Sequence, residues 1–282
     1  MLIAHLSDLH IAGPGKKAYG IAPTAENLAL VVQHINGLVP APDLVLVTGD
    51  ITYGGGQQEV ELAASLLAQL RRPCFLVPGN HDHLPSLWEG FGGSAIPAAA
   101  DFMNYTIEGH AIRLIGMDST DPGKPGGAMD ACRCDWLAAR LAEKPEQPTI
   151  LFMHHPPVKC GVLETDEDGF AGIDRLARVV AEYDNILRVL CGHIHLEAHA
   201  AWRHILVSTA PSMGLQLGLD LTLTRPSEFY LGAPGYQLHY YHPEKHLVSH
   251  TIFVHSMNGP YPFEEPRPGE KNTTQRAEVD GL

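Results

Sequence analysis

The sequence has no long apolar run and little positive charge. No apolar stretch approaches the roughly 20 residues that a membrane-spanning helix needs, and Met1-Leu2-Ile3 enters a predicted strand without a basic segment of the signal-peptide type. We therefore expect no membrane span and a cytoplasmic location. Lys and Arg number 19 against 32 Asp and Glu, so the formal charge is −13. Duplex nucleic acid is excluded as the main partner, because binding it requires clustered Lys and Arg.

Cysteine is also scarce. Five cysteines form an odd set without the dense spacing of a secreted disulfide scaffold, so reduced thiols are expected. Cys132 and Cys134 do not have Cys-x-x-Cys spacing and no second pair follows them, which argues against a structural zinc site. With 282 residues, 45% of them hydrophobic and 18% charged, the chain can bury a sizeable core in one large domain or two.

Polar side chains with metal-binding groups follow five short apolar runs. Each run is too short for a typical helix and is bounded by Gly or Pro, so each predicts a buried strand. In open α/β sheets, ligands bind where such strands end. We therefore expect all five to end at one rim. The runs cover residues 2–7, 44–49, 74–77, 150–153 and 187–192.

Amphipathic segments between the first three runs predict helices at residues 26–38 and 59–70. Strands alternating with helices imply a mainly parallel, layered α/β sheet. Three stretches lack periodicity and are predicted to be irregular, namely 84–104, 123–129 and 158–172. Further strands are predicted at 112–118, 205–208, 236–241 and 248–254, and further helices at 135–141 and 173–183.

The chain divides into four parts. Residues 1–210 are the predicted catalytic core, and 236–258 are strands that complete it. In residues 211–235, Met213, Leu215, Leu217 and Leu219 alternate with other residues. This period of two predicts a β-arm that packs on another subunit or covers the site, with packing in the core as the alternative. The tail at 259–282 is rich in Pro, Glu and polar residues, and is expected to be disordered or to lie on the surface.

Carboxylate, amide and imidazole groups without thiolate suit Mn, Fe, Zn or Co better than a structural zinc. Seven candidate ligands divide naturally over two ions if one carboxylate bridges, and ions in such hydrolytic sites lie roughly 3.5–4 Å apart. Asp118 also follows a predicted strand and is a rival ligand, but we interpret it as a turn residue. His155 is expected to support the ligands without binding the metal itself. The seven are Asp8, His10, Asp50, Asn80, His154, His193 and His195.

The motifs resemble those of a known family. In chain order they look like the five motifs of the calcineurin-like metallophosphoesterases. The chain length, the early loop with Tyr19 and the C-terminal arm are most similar to bacterial class III cyclic nucleotide phosphodiesterases and related glycerophosphodiesterases. The matching residues are Asp8-x-His10, Gly49-Asp50, Gly79-Asn80-His81-Asp82, His154-His155-Pro156-Pro157 and Gly192-His193-Ile194-His195.

The resemblance implies a four-layer α/β/β/α sandwich of two mixed sheets, with the C-terminal β-arm used to form a homodimer or higher homo-oligomer. It also implies a distribution of ligands over two metal ions. Asp8, His10 and His195 would bind one ion, Asn80, His154 and His193 would bind the other, and Asp50 would bind both.

A mechanism follows from the charges. Two divalent ions against Asp8 and Asp50 leave about two positive charges for a phosphodiester anion. Metal binding lowers the pKa of water from about 15.7 to about 7, which supplies hydroxide for in-line attack on phosphorus. His81 is expected to donate a hydrogen bond to the phosphate or protonate the leaving alkoxide, and Asp82 to orient His81. Asn80, His81 and Tyr19 are the candidate substrate contacts.

These expectations predict an enzyme that hydrolyses small phosphodiesters, either cyclic nucleotides such as 3′,5′-cAMP or glycerophosphodiesters. A phosphomonoesterase or nucleotide pyrophosphatase on the same centre is the alternative, since the centre recognises phosphate rather than the leaving group. A nuclease is disfavoured because basic and aromatic residues are not interleaved. A non-catalytic metal-binding scaffold is also disfavoured, because no expected ligand is missing.

Overall fold

The computed structural model describes residues 1–92, 102–242, 244 and 246–255. A search of these residues finds no helix with the length and apolarity needed to cross a membrane. The helices within them are α1 (Thr24–Gly37), α2 (Gln57–Leu67), α3 (Leu84–Phe91), α4 (Ala131–Glu143), α5 (Leu163–Asp168) and α6 (Ile173–Val180).

Sixteen strands occur in the described residues. The first eight are β1 (Leu2–Leu6), β2 (Leu44–Thr48), β3 (Cys74–Val77), β4 (Tyr105–Ile107), β5 (Arg113–Gly116), β6 (Thr120–Asp121), β7 (Lys124–Ala128) and β8 (Thr149–Phe152). The others are β9 (Phe170–Ala171), β10 (Ile186–Cys191), β11 (Ala198–Trp202), β12 (Ile205–Thr209), β13 (Leu215–Gly218), β14 (Glu228–Leu231), β15 (Gly235–Tyr241) and β16 (Leu247–Phe253).

Two mixed sheets form the centre of the molecule. The first has the order β16-β15-β1-β2-β3, and the second has the order β11-β12-β10-β8-β5-β4. Parallel pairing joins β1, β2 and β3, and also joins β5, β8, β10 and β12. The strand-helix alternation alone predicted one mainly parallel sheet. Antiparallel pairing of β15 with β1 and of β16 with β15 makes the first sheet mixed, as the family resemblance implied.

Alternating side chains show how the layers pack. In β8, Ile150 and Phe152 belong to a core shared with the first sheet and with α1 and α2. Leu151 points the other way, into a second core with Leu137 of α4 and Leu176 of α6. Because neighbouring strand residues face opposite sides of a sheet, both faces of the second sheet are covered. The four-layer sandwich is therefore confirmed.

Three stretches predicted to be irregular contain regular structure. Residues 84–91 form α3, 124–128 form β7 and 163–168 form α5. The short helix α5 has no buried residue, so its sequence carries no apolar period. The glycine-containing β7 pairs with β6 and β9, and these partners are set by the tertiary fold rather than by local propensity.

The segment at 211–235 forms a hairpin of β13 and β14. Its predicted alternation ends at Gly218, and Leu219, Leu221 and Leu223 are exposed in the connection between the strands. Residues 256–258 and the predicted tail at 259–282 lie outside the described residues.

Candidate metal centre

The seven predicted ligands come together where β1, β2, β3, β8 and β10 end. Five of them, Asp8, His10, Asp50, His193 and His195, have positive φ values between 42° and 74°. This left-handed conformation is uncommon for residues other than glycine and is concentrated at functional sites. It turns the chain sharply after each strand, which lets consecutive motif residues direct their side chains to one place.

Two motif glycines, Gly49 and Gly192, allow the loops to approach closely. A Cβ on Gly49 would lie 2.7 Å from the backbone nitrogen of Gly79 and 2.7 Å from His154 Nδ1. A Cβ on Gly192 would lie 2.7 Å from Asp8 Oδ2. These separations are shorter than real Cβ contacts, so a side chain at either position would displace a predicted ligand.

One group of donor atoms comprises Asp8, His10, Asp50 and His195, whose nearest atoms all lie within 4.8 Å of one another. His10 Nε2 lies 2.9 Å from His195 Nε2, and His195 Nε2 lies 3.4 Å from Asp8 Oδ1. Asp50 Oδ2 lies 3.5 Å from His10 Nε2. The nitrogen and carboxylate atoms that could hold a cation therefore face a common point.

A second group is arranged around His154. Its Nε2 atom lies 3.1 Å from Asn80 Oδ1, 3.2 Å from His193 Nδ1 and 3.4 Å from Asp50 Oδ2. The same Asp50 oxygen therefore lies within 3.5 Å of a histidine nitrogen of each group. His155 is close to this group, but its ring nitrogens contact Ser119 Oγ and the carbonyl of Pro125 at 2.9 and 3.0 Å.

The hydrogen-bond partners of the imidazoles fit a bound cation. Nδ1 of His154 lies 2.7 Å from the carbonyl of Thr48, and Nδ1 of His195 lies 3.0 Å from the carbonyl of Leu215. A carbonyl can only accept, so each ring donates from Nδ1, and a neutral ring then presents a lone pair at Nε2. Each Nε2 faces other acceptor atoms, an arrangement that a cation between them would satisfy.

Burial and neighbouring charges set the protonation of these groups. Burial holds the pKa of His10 and His193 well below the ordinary histidine value, which keeps both rings in the neutral form that binds metals. Burial raises the pKa of Asp8. Burial opposes ionisation of Asp50 too, but the charge and hydrogen bond of His154 hold the Asp50 pKa well below its usual range. The Asp50 carboxylate raises the pKa of His154 to about 9 against the effect of burial, so a cation bound by this ring would have to displace the proton from Nε2.

The contacts of His81 differ from the expectation. Its backbone N–H donates to Asp50 Oδ1 at 2.9 Å, and its ring Nδ1 lies 2.8 Å from the carbonyl of Tyr53. Asp82 was expected to orient this ring. Instead, Asp82 accepts hydrogen bonds from the backbone N–H groups of Ile51, Thr52 and Gly79 at 2.8–3.1 Å. The Tyr53 carbonyl therefore orients His81, and Asp82 joins the loops after β2 and β3.

We expect Asp82→Ala to destabilise the metal-free protein by about 2–4 kcal/mol, because three backbone N–H groups and the Thr52 hydroxyl lose their acceptor. Thermal unfolding of chelated protein measures this change. Asp135→Ala, at an exposed position of α4, is the control and should have the same unfolding temperature as the unmodified protein. Equal unfolding temperatures for the two variants would contradict the joining role of Asp82.

A cavity of about 400 Å³ opens beside the two donor groups, and Asp50, Asn80, His81, His193 and His195 contribute to its lining. Tyr19 also lines it, as the sequence predicted for a substrate contact. The Tyr19 ring lies 5.0 Å from the ring of Tyr53 and 5.1 Å from that of Phe229. The segment at 211–235, predicted to pack on another subunit or to cover the site, contributes Leu215, Leu217, Ser227, Glu228 and Phe229 to the walls. Glu164 and Thr165 of α5 also line the cavity, and they lie in a stretch that was predicted to be irregular.

Asp118 behaves as the turn residue that the sequence suggested. Its Oδ1 atom accepts hydrogen bonds from the backbone N–H and the hydroxyl of Thr120 at 2.9 and 2.7 Å. Its Oδ2 atom accepts from the backbone N–H of Met103 at 3.2 Å. These bonds engage both carboxylate oxygens in local structure.

Comparison with known proteins gives consistent matches. Residues 1–197 match the sequence model of the family described as calcineurin-like phosphoesterase. The probable glycerophosphodiester phosphodiesterase GpdQ of Arcobacter nitrofigilis is 37% identical over 264 residues, which cover 93% of this chain and 97% of that protein. The 3′,5′-cyclic adenosine monophosphate phosphodiesterase CpdA of Escherichia coli is 28% identical over 76% of each chain.

A solved structure shares the fold. The dimetal phosphatase from Danio rerio superimposes with a TM-score of 0.60 at 15% identity, covering 84% of this chain and 95% of that one. At this identity the likeness shows a common architecture, and the chemistry has to be argued from the residues of this chain.

Proposed function

Because this chain belongs to the calcineurin-like phosphoesterase family, we propose that it is a binuclear metal-dependent phosphodiesterase that hydrolyses small phosphodiesters. One observation carries the proposal. Asp50 Oδ2 lies 3.5 Å from His10 Nε2 and 3.4 Å from His154 Nε2, so one ionised oxygen is shared by two groups of nitrogen and oxygen donors. A shared carboxylate is what a site for two adjacent cations needs.

In this proposal, each group holds one divalent or trivalent ion, which would be Mn, Fe, Zn or Co, and Asp50 contributes to both. When bound, such ions supply positive charge for the phosphate and activate water at neutral pH. The first ion would be held by Asp8, His10, Asp50 and His195, and the second by Asp50, Asn80, His154 and His193.

His81 is the proposed hydrogen-bond donor to the substrate. Its Nδ1–H is directed to the carbonyl of Tyr53 and its backbone N–H to Asp50, so the ring has a fixed orientation beside the cavity. Nε2 then remains for the phosphate or for the oxygen of the leaving alcohol, and it donates to either one when the ring carries a proton on both nitrogens, because a neutral ring that donates from Nδ1 has only a lone pair at Nε2. Asn80 and Tyr19 line the same cavity and are the other proposed substrate contacts.

We expect His81→Ala to keep its metal content and to lose roughly 10²–10⁴-fold in kcat, because the variant removes a proton or hydrogen-bond donor without removing a proposed ligand. Metal analysis and turnover of bis-p-nitrophenyl phosphate measure the two properties separately. His83→Ala, an exposed neighbour whose ring contacts Ser86, is the control. If His81→Ala lost metal as well as activity, His81 would be a metal ligand instead of a substrate contact.

Glycerophosphodiesters are the favoured substrates. The Arcobacter relative is 37% identical over 93% of this chain, whereas the cyclic nucleotide enzyme is 28% identical over 76% of it. A substrate panel measured with metal-reconstituted protein tests this preference. It comprises glycerophosphodiesters, 3′,5′- and 2′,3′-cyclic nucleotides, and phosphomonoesters. Faster hydrolysis of monoesters than of every diester would overturn the proposal.

We also propose that the hairpin mediates formation of a homo-oligomer. In the single chain, four large apolar side chains of this segment are between 54% and 71% exposed, and packing on another chain would cover them. They are Leu219, Leu221, Tyr230 and Leu231. Leu221→Glu should lower the mass measured by light scattering, while Leu30→Glu, at an exposed position of α1, should not. A monomeric unmodified protein would contradict this role of the hairpin.

A reducing cytoplasmic location fits the buried thiols of Cys134 and Cys191.

A further inference from the structure

A further set of metal-binding side chains lies at the turn between β15 and β16. His242, Glu244 and His246 belong to this turn, and one nitrogen or carboxylate oxygen from each lies within 4.8 Å of those from the other two. None of the three is a proposed ligand of the catalytic centre. Two imidazoles and a carboxylate are ligands that zinc accepts, and zinc sites usually have four ligands. The turn therefore offers three of the four.

The pairing of the two strands places the histidines opposite each other. Tyr241 is the register partner of Leu247, and the pairing continues outward with a hydrogen bond from the backbone N–H of His242 to the carbonyl of His246 at 2.9 Å. Opposed residues of an antiparallel pair have Cβ atoms roughly 4.5–5.5 Å apart. The two rings stack accordingly, with centroids 4.5 Å apart and planes 17° from parallel. Both rings lie on one side of the turn, so one ion can reach a nitrogen of each.

Glu244 adds a carboxylate between the two histidines of the chain. Its Oε2 atom lies 3.9 Å from Nδ1 of His242, and its backbone N–H donates to the same Nδ1 at 3.1 Å. Since a backbone N–H can only donate, Nδ1 presents a lone pair toward the turn, and a cation that takes over this lone pair would lie next to the carboxylate. The side chains of His242 and Glu244 are 34% and 79% exposed, so the ion can enter from solvent and water can complete its coordination.

The turn lies at the opposite end of the first sheet from the catalytic donor groups. Leu2, at the beginning of β1, pairs with Tyr240 near the end of β15, whereas Asp8 follows the other end of β1. Six residues of extended chain span about 20 Å. An ion at the turn is therefore too far away to share ligands with the centre.

We propose that His242, Glu244 and His246 bind one Zn²⁺ ion at a site separate from the catalytic centre. The ion would join the ends of β15 and β16, of which β16 is an edge strand of the first sheet. Mn²⁺ binds a given nitrogen site more weakly than Zn²⁺ does, so Mn²⁺ should load the centre and leave the three-ligand turn free. The metal contents predicted for the His81 and Asp50 variants are therefore measured with Mn²⁺.

The zinc content per chain tests the proposal. After dialysis against micromolar Zn²⁺, we expect the His242→Ala, His246→Ala double variant to hold one zinc ion fewer than the unmodified protein, whatever number the centre holds. The matched control is the His204→Ala, His250→Ala double variant, which removes two exposed imidazoles outside the turn. Its zinc content should equal that of the unmodified protein.

Three results would overturn the proposal. The first is equal zinc content in the turn variant and the unmodified protein, and the second is the same loss of zinc in the control, which would indicate unspecific binding to surface histidines. The third is a loss of Mn²⁺-supported turnover of bis-p-nitrophenyl phosphate in the turn variant alone, because the site would then not be separate from the centre. Anomalous scattering at the zinc edge from crystals of the unmodified protein provides a test without substitutions. We expect a peak roughly 2.0–2.1 Å from a ring nitrogen of both His242 and His246, and a turn without a peak would contradict the site.

Discussion

Replacing Asp50 by alanine is expected to abolish metal binding and to lower kcat/KM by at least roughly a thousandfold. Asp50 is only 2% exposed, and its two oxygens have separate roles. Oδ1 accepts the backbone N–H of His81 at 2.9 Å, and Oδ2 lies 3.5 and 3.4 Å from the imidazoles of His10 and His154. Its removal would take a ligand from both proposed ions and would also release the loop that carries His81.

Asp50→Asn separates the two roles. The amide keeps a hydrogen-bond acceptor for His81 but loses the negative charge that both proposed ions share, so this variant should fold normally and still bind metal poorly. Elemental analysis after reconstitution gives the metal content per chain, and bis-p-nitrophenyl phosphate gives the turnover. Asp135→Asn, on the exposed side of α4, controls for the change in net charge. Two full metal equivalents in Asp50→Ala would contradict the bridging role.

The clustering of the seven proposed ligands could be predicted from the sequence because each one follows a buried strand. Apolar runs predict strands, and the carboxyl ends of parallel strands meet at one edge, so Asp8, Asp50 and Asn80 were expected together. The alternation of strands and helices does not show how strands divide between sheets. His154 and His193 were expected at the same rim, but they follow strands of the second sheet, and the packing of the two sheets brings them to Asp50.

Backbone partners leave no signal in the sequence. The carbonyls of Tyr53, Thr48 and Leu215 orient His81, His154 and His195, and a carbonyl is present at every residue. Asp82 was assigned to His81 because the two are adjacent in the chain. The left-handed and tight turns of the fold instead direct its carboxylate to the backbone of residues 51, 52 and 79.

The segment at 211–235 was expected to cover the site or to pack on another subunit, but the contact between α5 and this segment could not be predicted, for a related reason. Glu164 lies in a helix without an apolar face, and Ser227 lies in a connection between short strands, so neither segment has a periodic pattern. Their contact spans 63 residues and depends on how the hairpin packs beside α5. This part of the cavity wall is therefore formed by contacts between segments far apart in sequence, whereas the proposed ligands lie in short motifs.

Gly79→Ala is expected to lower the free energy of unfolding by about 2–3 kcal/mol and the unfolding temperature by roughly 5–10 °C. The added Cβ would collide with the backbone nitrogen and the Oδ1 atom of Asp50, and would lie 2.9 Å from its Cγ atom. The backbone of Gly79 cannot easily move away, because its N–H donates to Asp82 Oδ2 at 2.9 Å. The Asp50 carboxylate must then turn, so metal content and turnover should fall as well.

Calorimetry of the metal-free and metal-loaded forms separates these effects. The loss in the metal-free form reports the collision itself, and any additional loss in the loaded form reports weaker metal binding, since a ligand that binds the folded state stabilises it by mass action. Gly37→Ala is the control, because no atom lies within 4 Å of the added Cβ at the end of α1, and its unfolding temperature should be the same or higher. The opposite result would be a Gly79→Ala variant with the unfolding temperature and metal content of the unmodified protein. The loops after β2 and β3 could then separate without loss of stability, and close packing of the motif glycines would not fix the position of Asp50.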